Sequence, residues 1–129
     1  MNEQPMPGTG YLIVRAATAG GAIPLEGATV VVRGGTPESS GVIHTRVTDR
    51  DGRTERIALS APPAGNSEAP DNGTPYAVYQ IDVSHPGYLT NTYQNVPIFD
   101  RITAVQTAEL LPVGIGDATR FYESENPLL

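Results

Sequence analysis

The strongest constraint on the fold is a series of short apolar–polar alternations, separated by turns rich in glycine and proline. In residues 76–84 (YAVYQIDVS) apolar side chains recur at every second position, so that they would share one face of a strand. Similar segments occur at residues 11–17, 28–33, 42–48, 53–59, 88–96 and 102–110. Because no segment carries the apolar stripe of a helix, we predict an all-β, antiparallel two-sheet sandwich of about seven strands.

The same segments indicate the domain boundaries and the core. Residues 10–112 are expected to form the sandwich, residues 1–9 an N-terminal tail, and residues 113–129 a C-terminal tail or linker. Asp49 and Gly52 favour a tight turn, so the strands on either side of it are expected to form a hairpin. A long loop is predicted between Ser60 and Thr74. The predicted core consists of Leu12, Val14, Val30, Val32, Val47, Ile57, Leu59, Tyr79, Ile81 and Val83.

The composition disfavours several classes of function. The chain of 129 residues carries a net charge of −6, which argues against a nucleic-acid partner. It has no cysteine and no lysine, which excludes thiol chemistry and Schiff-base catalysis. No apolar run approaches the roughly 20 residues of a membrane span, and the first ten residues lack the features of a signal peptide.

Three sequence blocks, in a fixed order, resemble the motifs of a known family. They are residues 23–32 (IPLEGATVVV), residues 47–53 (VTDRDGR) and residues 79–88 (YQIDVSHPGY). The set is similar to the motifs of carboxypeptidase regulatory-like domains and covers most of residues 10–110. The resemblance implies a transthyretin-like (prealbumin-like) sandwich that serves as a non-catalytic module of a larger enzyme or surface protein.

Three further segments resemble a narrower group of modules. They are residues 10–14 (GYLIV), 61–63 (APP) and 95–100 (NVPIFD). Together they look like parts of the accessory modules of bacterial spore-cortex-lytic and peptidoglycan-binding proteins. The resemblance implies a bacterial protein of the cell envelope or spore, with a neighbouring domain or a second protein as partner and peptidoglycan as a further candidate.

Two groups of polar residues could hold a metal ion, but each has a simpler structural explanation. Asp49, Asp51 and Glu55 offer the carboxylates that calcium prefers, yet they lack the spacing of a calcium loop, and a turn needs the same aspartates. His44 and His85 are the only histidines, whereas catalytic zinc sites use three protein ligands. We therefore predict no metal, no cofactor and no catalytic residue.

Enzymes with a similar sandwich have requirements that this sequence does not meet. The 5-hydroxyisourate hydrolases share an Asp-Gly-Arg turn like residues 51–53, but their C-terminal Tyr-Arg-Gly-Ser motif and N-terminal histidine have no counterpart. Intradiol dioxygenases use two tyrosines and two histidines as iron ligands, and no such spacing can be built here. A cryptic hydrolase that uses His44 or His85 is the remaining enzymatic hypothesis.

Four aromatic residues in the second half of the chain are the candidate contact residues. Tyr76, Tyr88, Tyr93 and Phe99 could stack on sugar rings or on a partner surface if they are exposed together. Aromatic residues also cap the cores of sandwiches, and that explanation stays open for each of them.

The combined interpretation is a non-catalytic accessory or interaction module of a cell-wall or spore-cortex protein. One alternative is a structural or adhesive repeat of a surface protein. Such a repeat would have no isopeptide crosslink, because that bond requires a lysine. A second alternative is a carbohydrate-binding module for peptidoglycan.

Overall fold

The computed structural model describes residues 8–36, 41–63 and 76–114, together with the backbone of residues 120–123. Every regular element in these residues is a strand, and none is a helix. Most of the predicted Ser60–Thr74 loop and of both predicted tails lies outside the described residues. The strands are β1 (Gly8–Thr18), β2 (Ile23–Pro24), β3 (Thr29–Gly34), β4 (Val42–Val47), β5 (Ile57–Ala61), β6 (Ala77–Ser84), β7 (Asn91–Ile98), β8 (Thr103–Glu109) and β9 (Arg120–Glu123).

The strands form two sheets. In the four-stranded sheet, β1 pairs with β8 along one edge and with β5 and the short β2 along the other. The five-stranded sheet has the order β4-β3-β6-β7-β9. The β1–β8 and β7–β9 pairs are parallel, and the other pairs are antiparallel. The predicted all-β, two-sheet sandwich is therefore confirmed, and each of the seven predicted strands is present.

The core lies between the two sheets and is built from one face of each strand. The burial pattern of β3 and β6 alternates with the period of two that their sequences predict. Every predicted core residue except Val47 is buried. The core also contains residues that the sequence pattern did not single out, among them Val96, Ile98, Ala108 and Leu110.

Strand β4 turns its apolar side chains outward, which makes the prediction for Val47 wrong. In the β3–β4 pair, Val30 lies opposite Arg46 and Val32 lies opposite His44, so both polar side chains share the core-facing side. They are half-buried, whereas Val47 is 60% exposed. The alternation is as predicted, but its direction is reversed. At the edge of a sheet an inward polar side chain can still reach solvent, so burial does not force an apolar residue inward there.

The turn predicted at Asp49–Gly52 is present in detail. Asp49 Oδ1 accepts hydrogen bonds from the backbone N–H of Asp51 at 2.9 Å and of Arg53 at 3.1 Å. The N–H of Gly52 donates to the carbonyl of Asp49 at 2.8 Å. The N–H groups of Arg53 and Asp51 favour the charged carboxylate and hold the pKa of Asp49 below its ordinary value, with Arg53 contributing most.

The predicted hairpin around this turn is wrong, because the chain changes sheet there. Strand β4 belongs to the five-stranded sheet and β5 to the four-stranded sheet. Between them, the N–H of Thr54 donates to the carbonyl of Val14 at 2.9 Å, and the N–H of Val14 donates to Thr54 Oγ1 at 3.1 Å. A turn signal predicts that the chain reverses, but the pairing partner is chosen by the rest of the sandwich.

Residues 48–52 carry the chain from the five-stranded sheet to the four-stranded sheet, and we call this segment the crossing. Thr48 holds its start in place. Its hydroxyl donates to the carbonyl of Leu25 at 2.6 Å and accepts from the N–H of Ala28 at 2.9 Å. Its own N–H donates to the carbonyl of Ala28 at 2.9 Å, and its carbonyl accepts from Gly27 at 3.1 Å. Because Thr48 is almost fully buried, these bonds satisfy polar groups that would otherwise be costly to remove from water.

Gly52 anchors the end of the crossing against β1. The N–H of Ala16 donates to the carbonyl of Gly52 at 2.7 Å, and Gly52 has a φ of +79°. A Cβ atom at this position would lie 2.5 Å from the carbonyl oxygen of Ala16. The position therefore requires glycine for two reasons, the backbone angle and the close approach of β1.

Two buried side chains connect the sheets directly. The hydroxyl of Tyr79, on β6, donates to the carbonyl of Ser60, on β5, at 2.6 Å. Asn91, on β7, is fully buried, and its Nδ2 donates to the carbonyl of Glu109, on β8, and to the hydroxyl of Tyr93, both at 2.9 Å. The bonds to Ser60 and Glu109 join the two sheets and therefore fix their relative position.

The end of the described chain lies against the five-stranded sheet. The N–H of Leu89 donates to the carbonyl of Leu111 at 2.8 Å, and that of Val113 donates to Gly87 at 3.0 Å. Strand β9 then pairs with β7 from Asn91 to Gln94. The segment 113–129, predicted as a tail or linker, thus contains a strand of the sandwich.

Replacing Gly52 with alanine should destabilise the fold strongly. The positive φ alone costs about 1 kcal/mol, and the collision with Ala16 should raise the total loss to about 3 kcal/mol. The matched control is Gly87→Ala, because Gly87 has a similar φ of +88° but a Cβ there would meet no atom within 4 Å. Urea unfolding of both variants measures the difference, and equal losses would show that the contact with Ala16 is unimportant.

Replacing Tyr79 with phenylalanine should cost about 1 kcal/mol, the usual net value of one buried hydrogen bond. Burial raises the pKa of Tyr79 above its ordinary value, so its stabilising contribution is complete below about pH 10 and is lost as the pH rises through the folded-state pKa. Tyr79→Phe should therefore weaken the alkaline loss of stability. Thermal unfolding between about pH 8 and 11, with Tyr76→Phe as control, measures this, and identical pH profiles would contradict it.

Candidate functional site

A block of four side chains on the outer face of the five-stranded sheet forms the candidate site. Val78 and Pro97 lie opposite each other in the β6–β7 pair. Tyr76 lies two residues before Val78 and Phe99 lies two residues after Pro97, so the period of two places them on the same face. The two rings meet with their centroids 5.2 Å apart and their planes inclined by 55°. Together with Asn95 these residues line an open depression of about 400 Å³, which we call the aromatic depression.

A β-bulge lies at the side of the aromatic depression that is lined by Asn95. The register of β6 and β7 shifts between Tyr79 and Ile81, and Asn95 lies in this region with a φ of +59°. A bulge bends its strand and redirects a side chain, and asparagine tolerates the left-handed conformation better than most residues. The bulge thereby brings a polar residue to the rim of an otherwise non-polar surface.

Close backbone packing holds the aromatic depression from two sides. The N–H of Gly35 donates to the carbonyl of Val78 at 3.1 Å, and a Cβ on Gly35 would lie 2.6 Å from that oxygen. On the other side, a Cβ on Gly10 would lie 2.4 Å from the carbonyl oxygen of Phe99. Asp100 Oδ1 accepts from the N–H of Thr9 at 3.0 Å and fixes the same corner. The backbone at Val78 and at Phe99 therefore has little room to move.

The chemistry of this surface suits the recognition of a flat, partly apolar group. Phe99 is 39% exposed, so that aromatic surface beside its tilted contact with Tyr76 remains open to a ligand. Sugar rings, proline rings and aliphatic side chains all pack on such faces, and the Tyr76 hydroxyl and the Asn95 amide can supply directional hydrogen bonds.

The structure brings together only two of the four predicted aromatic contact residues, Tyr76 and Phe99. Tyr93 is 6% exposed and belongs to the core, where its hydroxyl accepts from Asn91, so it cannot form part of a surface. Tyr88 is half-buried at the turn between β6 and β7, with its ring edge-on to His85 at 5.3 Å. The core-capping explanation holds for Tyr93, and the contact hypothesis is limited to the aromatic depression.

The two histidines occupy different structural settings. His44 lies on β4, with its Nδ1 atom 3.5 Å from Nη2 of Arg46. His85 follows β6, and its two ring nitrogens each lie 2.9 Å from a carbonyl oxygen, one of Glu26 and one of Pro86. His85 thus ties the loop before β3 to the turn after β6. Among the described residues, no three histidine, cysteine, aspartate or glutamate side chains form a group that could hold a metal ion.

Three residues of the aromatic depression were missed by the sequence prediction. Val78, Asn95 and Pro97 were not predicted as contact residues, because nothing in the local pattern shows that β6 and β7 are neighbours in this register. The alternation of residues 76–84 does place Tyr76 and Val78 on one face, opposite the buried Tyr79. That signal could have identified half of the site.

Comparisons with known proteins find similarity in structure only. Neither a protein-family model nor a curated protein matches the chain. Catechol 1,2-dioxygenase from Acinetobacter sp. ADP1 superimposes with a TM-score of 0.56 at 14% identity, over 91% of this chain and 57% of that one. The catechol 1,2-dioxygenase of Pseudomonas arvilla C-1 gives a TM-score of 0.53 at 16% identity, over 88% and 56% of the two chains.

A third similar structure has a different function. The minor pilin GBS52 of Streptococcus agalactiae superimposes with a TM-score of 0.51 at 18% identity, over 82% of this chain and 45% of the pilin. The chain thus spans about half the length of each of these proteins. At such low identity the likeness shows the β-sandwich fold alone.

The described residues contain no helical segment that could span a membrane.

The placement of the aromatic residues predicts how their substitution affects stability. Tyr93→Ala should cost about 3 kcal/mol or more, because it empties a core site and removes the partner of Asn91. Phe99→Ala should cost about 1 kcal/mol or less, because Phe99 is 39% exposed and lies outside the core. Chemical denaturation of both variants measures the contrast, and similar losses would contradict the assignment of Phe99 to an open site.

Proposed function

We propose that this chain is a non-catalytic interaction module that binds its partner through the aromatic depression. The observation that carries the proposal is the pairing of two aromatic rings beside Val78 and Pro97 on the open face of a sheet. Large apolar side chains that cluster on a surface mark contact sites more often than isolated ones do. The tight backbone packing at Gly10 and Gly35 supports the proposal, since a pre-formed surface binds without a large ordering cost.

The ligand that we propose is a glycan of the bacterial cell wall or spore cortex. Tyrosine and phenylalanine faces stack on sugar rings, and Asn95, which also lines the depression, carries an amide, a group that both donates and accepts hydrogen bonds. The resemblance of residues 10–14, 61–63 and 95–100 to accessory modules of peptidoglycan-associated proteins supports this choice. The last of these segments contributes three residues to the aromatic depression, namely Asn95, Pro97 and Phe99.

A structural or adhesive module of a surface protein is the second candidate. The likeness to the minor pilin GBS52 favours it, together with the buried bonds that tie the two sheets. In this case the aromatic depression would contact a neighbouring protein domain instead of a glycan. Both candidates share the non-catalytic role and differ in the partner.

The experiment is a binding assay with purified, protein-free peptidoglycan and with soluble muropeptides. We expect the wild-type domain to bind and Tyr76→Ala/Phe99→Ala to lose at least about tenfold in affinity, because both stacking faces are removed. Val105→Ala is the matched control, since Val105 is 61% exposed on the four-stranded sheet and should leave binding unchanged. Circular dichroism checks that each variant is folded.

Two results would contradict the glycan assignment. The first is wild-type binding no stronger than that of an unrelated β-sandwich, which leaves the protein-partner candidate. The second is binding that Tyr76→Ala/Phe99→Ala does not weaken, which moves the site away from the aromatic depression. Changes in the NMR signals of the Tyr76 and Phe99 rings on addition of muropeptides would locate the contact directly.

A further inference from the structure

Strand β4 forms one edge of the five-stranded sheet, and it presents apolar side chains to solvent. In the described part of the chain β4 pairs only with β3. Its outer face carries Ile43, which is 46% exposed, and Val47, which is 60% exposed, on either side of Thr45. A row of exposed apolar side chains on an edge strand is uncommon, because such an edge can pair with another strand.

The backbone groups of Thr45 and Val47 point to the unpaired edge. The N–H of Thr48 donates to the carbonyl of Ala28, and hydrogen-bonded pairs alternate along an antiparallel ladder. Arg46 and His44 are therefore the residues that bond to β3. Thr45 and Val47 direct their N–H and C=O groups away from it. At Ile43 the register of the β3–β4 pair shifts, because Val42 and Ile43 together lie opposite Arg33 in a β-bulge. In agreement, the carbonyl of Thr45 accepts a hydrogen bond from Nη1 of Arg46 at 3.0 Å.

These features are self-complementary about Thr45. If a second copy approaches antiparallel, related by a twofold axis through Thr45, then Ile43 of each copy faces Val47 of the other. Residues with outward backbone groups then lie opposite one another, as a hydrogen-bonded ladder requires. The same arrangement keeps the apolar side chains of both copies on one face of the enlarged sheet, as an isologous dimer demands.

We propose that two copies of this chain pair edge to edge through β4 in this register. The five-stranded sheets of the two copies would join into one continuous sheet. Arg46, whose Nε atom lies 3.0 Å from Oε2 of Glu55, stays on the core-facing side. The Thr45 carbonyl can keep its contact with Arg46, because a carbonyl oxygen accepts two hydrogen bonds. One six-residue strand buries less area than a standard interface, so the dimer is expected to be weak and concentration-dependent.

The absence of cysteine from the chain provides a direct test of the register. Thr45→Cys places one thiol opposite its own copy, at a Cα separation of about 5.5 Å that a disulfide can span. We expect this variant to form a covalent dimer under mild oxidation. Val105→Cys, on the exposed face of β8, is the matched control and should stay largely monomeric. Mixing Ile43→Cys with Val47→Cys should give the mixed disulfide in preference to either homodimer.

Sedimentation velocity on the wild-type chain tests the association itself. We expect a monomer–dimer equilibrium that Ile43→Lys or Val47→Lys weakens at least about tenfold, while Val105→Lys leaves it unchanged. A strictly monomeric wild-type protein at millimolar concentration would overturn the proposal. Crosslinking of Val105→Cys as readily as Thr45→Cys would also overturn it. So would a dimer that survives both lysine substitutions, since its interface must then lie elsewhere.

Discussion

The structure depends on the crossing between the two sheets, where a buried threonine and a glycine fix the chain at its two ends. Thr48 satisfies backbone groups at Leu25 and Ala28, and Gly52 lets the backbone pass within contact distance of β1. Each hydrogen bond contributes only about 1 kcal/mol net, but an unsatisfied buried group would cost more than that. The crossing therefore places β4 in the five-stranded sheet and β5 in the four-stranded sheet.

The aromatic depression follows from that arrangement. With β6 at the centre of the five-stranded sheet, β7 lies beside it, and the cross-strand pair Val78–Pro97 forms a floor on the outer face. Tyr76 and Phe99 extend the floor at the ends of the same strands. Because both strands have their other faces in the core, the outer face is held in place by the packing beneath it.

The fold class could be predicted because the sequence period is a local property. Alternation in residues 76–84 requires only that one face of a strand is buried, and β6 obeys it. The prediction failed for Val47 because the alternation of β4 does not state which face is inward, and an edge strand can keep polar residues on its inner side. The hairpin at Asp49–Gly52 failed for a related reason. Hydrogen bonds within the turn specify its geometry, whereas the destination of the next strand depends on contacts with Val14 and Ala16.

By itself the sequence determined seven of the strands, half of the core and the turn at Asp49, since each depends on neighbours within a few residues. It also determined which chemistry is unavailable, because a chain without lysine or cysteine cannot use their side chains. Only the tertiary structure decided that Tyr76 and Phe99 meet while Tyr93 is buried. That choice depends on the register between β6 and β7, where one residue of slip would exchange the two faces of a strand.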